Sequence, residues 1–229
     1  VLNPALPDAR FSWRAALLLL LATLLLSAYL LAGHIATTTA PVWAPYLALA
    51  PLILMVASTL AGQFGLVAGV VAGLGQLALT VQWQDALNAH LDWLYFLQHV
   101  GFNAALALLF GLTLRSGHLP LITRMAGLMR GPDMPPAVLA FTRGATLAWT
   151  LFFCTIALVS IGLFALADLR HWSIFANLLT TPLVGAMFLA EYAARRHLLR
   201  DISHPSLIGN FRSIREAWVR QSQRDEPAP

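Results

Sequence analysis

Of the chain's 229 residues, 59% are hydrophobic and only 10% charged, against roughly 25% charged in an ordinary soluble domain, so a small globule with a solvated surface is excluded and lipid is the natural solvent for the excess. The formal net charge of +4 rests on arginine alone. These arginines flank apolar runs and form no basic stripe interleaved with aromatics, which argues against a nucleic-acid partner. Cys154 is the single cysteine, so an intrachain disulfide framework and a cysteine metal cluster are both excluded.

Six runs approach the length needed to cross about 30 Å of hydrocarbon: 13–33, 43–61, 64–83, 93–114, 137–166 and 172–194. They predict an all-α, polytopic bundle of six transmembrane helices over 13–194. A cytoplasmic segment, 1–12, precedes it, and a cytoplasmic basic tail, 195–229, follows it. The first run, RAALLLLLATLLLSAYLLAG, is too long for a signal-peptide core and reads as a retained span.

Runs two and three meet at AGQFG, which predicts two antiparallel helices joined by a tight glycine turn. Gly65, Gly69 and Gly73 follow at four-residue spacing. They would lay a smooth groove on one face for close helix packing, within the chain or between subunits of an oligomer.

The fourth run contains LQHVGFNAA, with His99 and Asn103 on one face. A membrane histidine serves as a proton relay, a haem ligand or a hydrogen-bonding packer. Only His34 could pair with His99 across a haem. His90, His171, Asp85, Asp92 and Asp168 supply metal-ligand types without a compact motif. No cofactor is predicted, although haem or a divalent metal at His99 stays open as an alternative.

The loop RSGHLPLITRMAGLMRGPDMPP at 115–136 has apolar residues at helical spacing with arginines between them. That pattern predicts a short interfacial helix. Pro135 and Pro136 suit the first turn of span five. The segment SLIGNFRSIREAWVRQ in the tail predicts a second amphipathic interfacial helix.

Span five opens with FTRGATLAWTLFF. Thr142, Thr146 and Trp149 recur at helical spacing, and Thr150 shares the face of Arg143. A polar stripe on a membrane helix should face protein or water. Span six carries Asn177, Thr180 and Thr181 ahead of Pro182, which predicts a kink, and then Glu191, Tyr192 and Arg195 in FLAEYAARR. Antiparallel neighbours would bring Arg143 and Glu191 to one depth, so the two are expected to pair, or to share one polar headgroup. The candidate ligand-binding set is Arg143, Thr146, Trp149, Thr150, Asn177, Glu191, Tyr192 and Arg195. His99 and Asn103 are polar candidates of the membrane interior.

Arginine placement predicts the orientation. Arg10 and Arg14 precede span one, Arg115, Arg124 and Arg130 lie between spans four and five, and seven arginines follow span six, against Arg170 alone on the other side. The positive-inside rule then puts both termini in the cytoplasm. Trp13, Trp43, Trp83, Trp93 and Trp172 fall at run ends, as interfacial tryptophans do.

PPAVLAFTRGATLAWTLFF and WSIFANLLTTPLVGAMFLAEYAARR resemble an uncharacterised proteobacterial family of polytopic inner-membrane proteins. That family is associated with aryl-polyene and xanthomonadin-type pigment clusters, and some members are labelled ketosynthase. The resemblance covers about residues 93–210. Its matching positions are Thr142, Arg143, Thr146, Trp149, Asn177, Glu191, Tyr192, Arg195 and Arg196. It implies lipid-linked acyl-chain assembly at the bacterial inner membrane and supplies no catalytic residue. The ketosynthase label has no support here, because such an enzyme is a soluble thiolase-like protein with a cysteine nucleophile.

Three functions follow as expectations. The first is an accessory or scaffold protein that recruits acyl carrier protein or soluble acyl-chain enzymes to membrane lipids. The second is a lipid- or acyl-handling enzyme or flippase with a cleft at Arg143 and Glu191. The third is a haem or metal subunit using His99.

Overall fold

The computed structural model describes residues 13–131 and 134–200. Every regular element among them is helical. They are α1 (Trp13–Thr39), α2 (Ala44–Phe64), α3 (Leu66–Gln82), α4 (Gln84–Ala89), α5 (Leu91–Leu112), α6 (Leu121–Arg130), α7 (Pro136–Leu166), α8 (Leu169–Ser173), a π-helical turn at Ile174–Leu179, and α9 (Thr180–Leu198). Five stretches are long and apolar enough to cross a membrane: Leu17–Thr39, Ala44–Phe64, Leu91–Leu112, Pro136–Leu166 and Leu169–Leu198. Leu25, Leu54 and Leu158 stand about two-thirds exposed along them, as do many other large apolar side chains. Water penalises such patches and lipid does not. The fold is that of a multi-pass helical membrane protein.

The third predicted span is the one that falls short. Its helix, α3, has 17 residues and ends at Trp83, whose φ of −104° and ψ of 13° leave the helical region. Polar Gln84 and Asp85 then begin the separate α4. The described residues therefore hold five helices of spanning length, where six were expected.

The chain divides into two compact units. The described part of the first runs to Tyr95 and includes Leu169–Leu178. Its α2–α3 hairpin turns at Gly65, where φ is +90°, a value that side chains with a Cβ rarely adopt. A Cβ on Gly69 would lie 2.6 Å from both the Ala57 carbonyl oxygen and the Ala61 Cβ, and one on Gly73 would lie 3.6 Å from the Ala57 Cβ. The glycine face is thus occupied by α2 of the same chain. Helix α8 packs on α1. Trp43, Trp83 and Trp93 are exposed, whereas Trp172 is fully buried.

Pro182 has no N–H for the carbonyl of Leu178, four residues earlier. The preceding residues Ile174–Leu179 widen into the π-helical turn.

The described part of the second unit comprises Phe96–Asp168 and the chain from Leu179. Its core joins Ala107 of α5, Ile122 of α6, and Ala145, Trp149 and Phe153 of α7. Pro136 opens α7 at its first turn, as expected. The buried positions of α7 include Thr142, Thr146, Trp149, Phe153, Ile156 and Ser160. They recur every three or four residues and form one continuous face. Amphipathic α6 buries Ile122, Thr123 and Ala126 and exposes Arg124, Met125 and Leu128. The N-terminal segment 1–12 and the second amphipathic helix of the tail lie outside the described residues.

Candidate functional site

The threonines of α7 face protein. Thr142 Oγ1 lies 2.7 Å from Thr123 Oγ1, and the Ile122 N–H donates to Thr146 Oγ1 at 3.3 Å. The Leu121 N–H donates to Thr113 Oγ1 at 2.9 Å. A helix start has several backbone donors with no partner in the helix, and Pro120, which precedes α6, offers no capping side chain. Hydroxyls from outside α6 therefore cap it and dock it on α7. Thr150 donates back to the Thr146 carbonyl at 2.9 Å. Its methyl group would be 3.1 Å from a Cβ on Gly111, so Gly111 lets α5 come close.

Glu191 of α9 is the charged centre of this unit. Trp149 Nε1–H donates to its Oε2 at 2.7 Å, and Arg195 Nη2 donates to its Oε1 at 2.7 Å. The Trp149 ring is buried and packs against Phe188, with centroids 4.6 Å apart, and Phe153, at 5.4 Å. The Arg195 guanidinium lies 5.6 Å from the centre of the Phe141 ring, within cation–π range. Each carboxylate oxygen has a strong donor, so the group clamps α9 to α7.

This corrects the expected partnership. Arg143 does not pair with Glu191: it is exposed and donates to the Leu114 carbonyl at 3.3 Å. At 100° per residue, Arg143 sits about 120° around α7 from Trp149. It therefore points away from the face that meets α9, and a cleft between Arg143 and Glu191 is not formed. Asn177 belongs to the other unit, where its amide donates to Ser173 Oγ at 3.0 Å.

Beside the clamp, Tyr192, Ala193, Arg196 and His197 of α9, with Arg200 just past its end, line a groove of about 630 Å³. Arg196 and Arg200 are exposed and make no ion pair among the described residues, and the same holds for Arg124 of α6. Helices α7 and α9 run antiparallel, with Glu191 at the level of Trp149 and Arg195 near Phe141. Arg196 and Arg200 thus lie toward the end of the unit where α7 begins and α6 docks.

His99 Nδ1 lies 3.0 Å from Ser160 Oγ, and its Nε2 lies 3.1 Å from Thr180 Oγ1. The Asn103 amide donates to the His99 carbonyl at 2.8 Å. Each ring nitrogen of His99 thus has a hydroxyl within hydrogen-bond distance. No group of three or more His, Cys, Asp or Glu side chains that could hold a metal forms among the described residues.

Sequence reasoning missed Ser173, which is fully buried and meets His34, Thr37 and Asn177. The available signal was helical spacing: His34 and Thr37 are three apart, and Ser173 and Asn177 four apart, each pair inside an apolar run.

The fold and this geometry define a multi-pass membrane protein with a clamped carboxylate and a set of exposed arginines. Comparison with protein-family models, curated proteins and solved structures returns no match.

Proposed function

We propose that the chain is an integral inner-membrane accessory protein that docks acidic soluble partners of lipid-linked acyl-chain assembly, acyl carrier protein among them, on its arginine-rich cytoplasmic end. In this reading α3 makes the sixth crossing, and both termini lie in the cytoplasm. One observation carries the reading. In the second unit Glu191 is already ion-paired with Arg195 and hydrogen-bonded by Trp149, whereas Arg124, Arg196 and Arg200 are exposed and without an ion pair among the described residues. Such a field attracts acidic surfaces at long range and weakens with salt. The substrate class comes from the resemblance in the α7 and α9 segments.

The groove along α9 favours a second reading, in which Arg196, His197 and Arg200 hold an anionic lipid headgroup. One experiment separates the two. Purified protein in nanodiscs is titrated with acyl carrier protein at low and high salt, and its co-purified lipids are identified by mass spectrometry. Docking predicts binding that weakens with salt and falls at least about tenfold in Arg124→Glu/Arg196→Glu, the loss of about 1.4 kcal/mol or more. Unchanged binding in that variant overturns docking. A retained anionic lipid lost in Arg196→Glu/Arg200→Glu, with no carrier-protein binding, establishes the headgroup reading instead.

A further inference from the structure

A second site lies in the first unit, between α1 and α8. His34, Ile35 and Thr38 of α1 and Leu169 and Arg170 of α8 line a cavity of about 440 Å³. Behind it stands a chain of hydrogen bonds. His34 Nδ1 lies 2.9 Å from Ser173 Oγ. Ser173 Oγ also meets the Thr37 hydroxyl, and it accepts from the Asn177 amide at 3.0 Å. Thr37 Oγ1 is 3.0 Å from the Gly33 carbonyl. Gly33 makes room for this assembly, since a Cβ there would lie 2.9 Å from Asn177 Oδ1.

Counting protons shows what the chain does to the imidazole. Asn177 always donates to Ser173. If Thr37 donates to Ser173, then Ser173 donates to His34 Nδ1, and the ring proton sits on Nε2. If Thr37 donates to the Gly33 carbonyl, Ser173 donates to Thr37 and accepts from Nδ1–H. Both arrangements give the Thr37 and Ser173 hydroxyl protons an acceptor. Either way Nδ1 is anchored in the protein, and Nε2, on the far side of the ring, has no hydrogen-bond partner among the described residues. The Arg170 guanidinium is exposed and makes neither an ion pair nor a hydrogen bond among the described residues.

We propose that this cavity binds a small oxyanion on an apolar stem, a carboxylate or a phosphate, held by the Arg170 guanidinium and by Nε2–H of His34. Guanidinium geometry matches both groups. An oxyanion selects the arrangement in which Ser173 donates to Nδ1, because only then does a neutral ring offer a proton at Nε2. Ile35 and Leu169 supply the wall for the stem. Orientation of a ligand-binding imidazole by hydrogen bonds to its other nitrogen is how such rings are held in one tautomer.

The test uses the full chain labelled with ¹⁵N-histidine in an uncharged detergent, with the His34 resonances assigned from His34→Gln. Inorganic phosphate, butyrate and lysophosphatidylglycerol are titrated at constant pH and ionic strength, with chloride as the control. A saturable shift of the His34 nitrogens toward the Nε2–H tautomer is expected for at least one oxyanion and not for chloride. Arg170→Gln, at an exposed position, should weaken that binding about tenfold, as loss of a charged hydrogen bond does. Ser173→Ala should reduce the tautomer shift. Tighter binding of the lysolipid identifies a headgroup phosphate as the source, and tighter binding of phosphate or butyrate identifies a free anion. No saturable shift with any of the three, or equal affinity in Arg170→Gln, overturns the proposal.

Discussion

A carboxylate among apolar helices costs about 2.5–3.5 kcal/mol on insertion scales unless its charge is met. Glu191 meets that demand with Arg195, one turn away on its own helix, and with the indole of Trp149 on α7. The indole contact is the one that joins two helices. Trp149→Phe keeps the ring packing and removes the donor. It is expected to lower stability by about 1–2 kcal/mol, between the usual value for a charged hydrogen bond and the smaller one found in membranes. Thermal unfolding in nanodiscs measures this, and Glu191→Gln should cost less in the Trp149→Phe background than alone, because the shared bond is lost once. Sequence patterning picked out Thr142, Thr146, Trp149 and Glu191 as polar residues on apolar helices. It could not assign their partners. A helical wheel orders residues around one axis but says nothing of which face a neighbour covers, so Arg143 was matched to Glu191 by depth alone. Ser173 escaped notice because a lone serine in an apolar run is indistinguishable from a packer until His34 and Thr37 arrive from a segment far away in sequence.

Among the helices, the α2–α3 hairpin shows how glycine spacing becomes contact. Gly69 sits against Ala57 and Ala61, while Gly75, on the same helix, has nothing within 4 Å of where its Cβ would be. Gly69→Ala is expected to destabilise by about 1–3 kcal/mol, since the Ala57 carbonyl is backbone and cannot step aside. Gly75→Ala should be neutral or stabilising by up to about 1 kcal/mol, from helix propensity. Side-by-side melting curves test both. Most helix bounds were legible because apolar runs end at Trp, Pro, Gly and charged residues. Two features were not. The break at Trp83 looked like a span end of ordinary kind, and the π-helical turn at Ile174–Leu179 had Pro182 as its only visible cause.

At the scale of the whole molecule, the six-crossing reading turns on α3. With Cys154 replaced by serine, Gln63→Cys and Asp85→Cys flank α3. The six-crossing reading predicts that an impermeant maleimide labels Asp85→Cys in intact cells, and Gln63→Cys only after lysis. Labelling of both from one side would show that α3 stays at one face. A full crossing has a mechanical consequence. Seventeen residues rise about 26 Å, and the 21 residues of its hairpin partner α2 rise about 31 Å. The shorter arm leaves a deficit of several ångströms against a typical hydrocarbon thickness. Lipids beside α3 must then dimple inward or yield to shorter-tailed species, and the resulting elastic penalty would steer the protein toward thin patches of membrane.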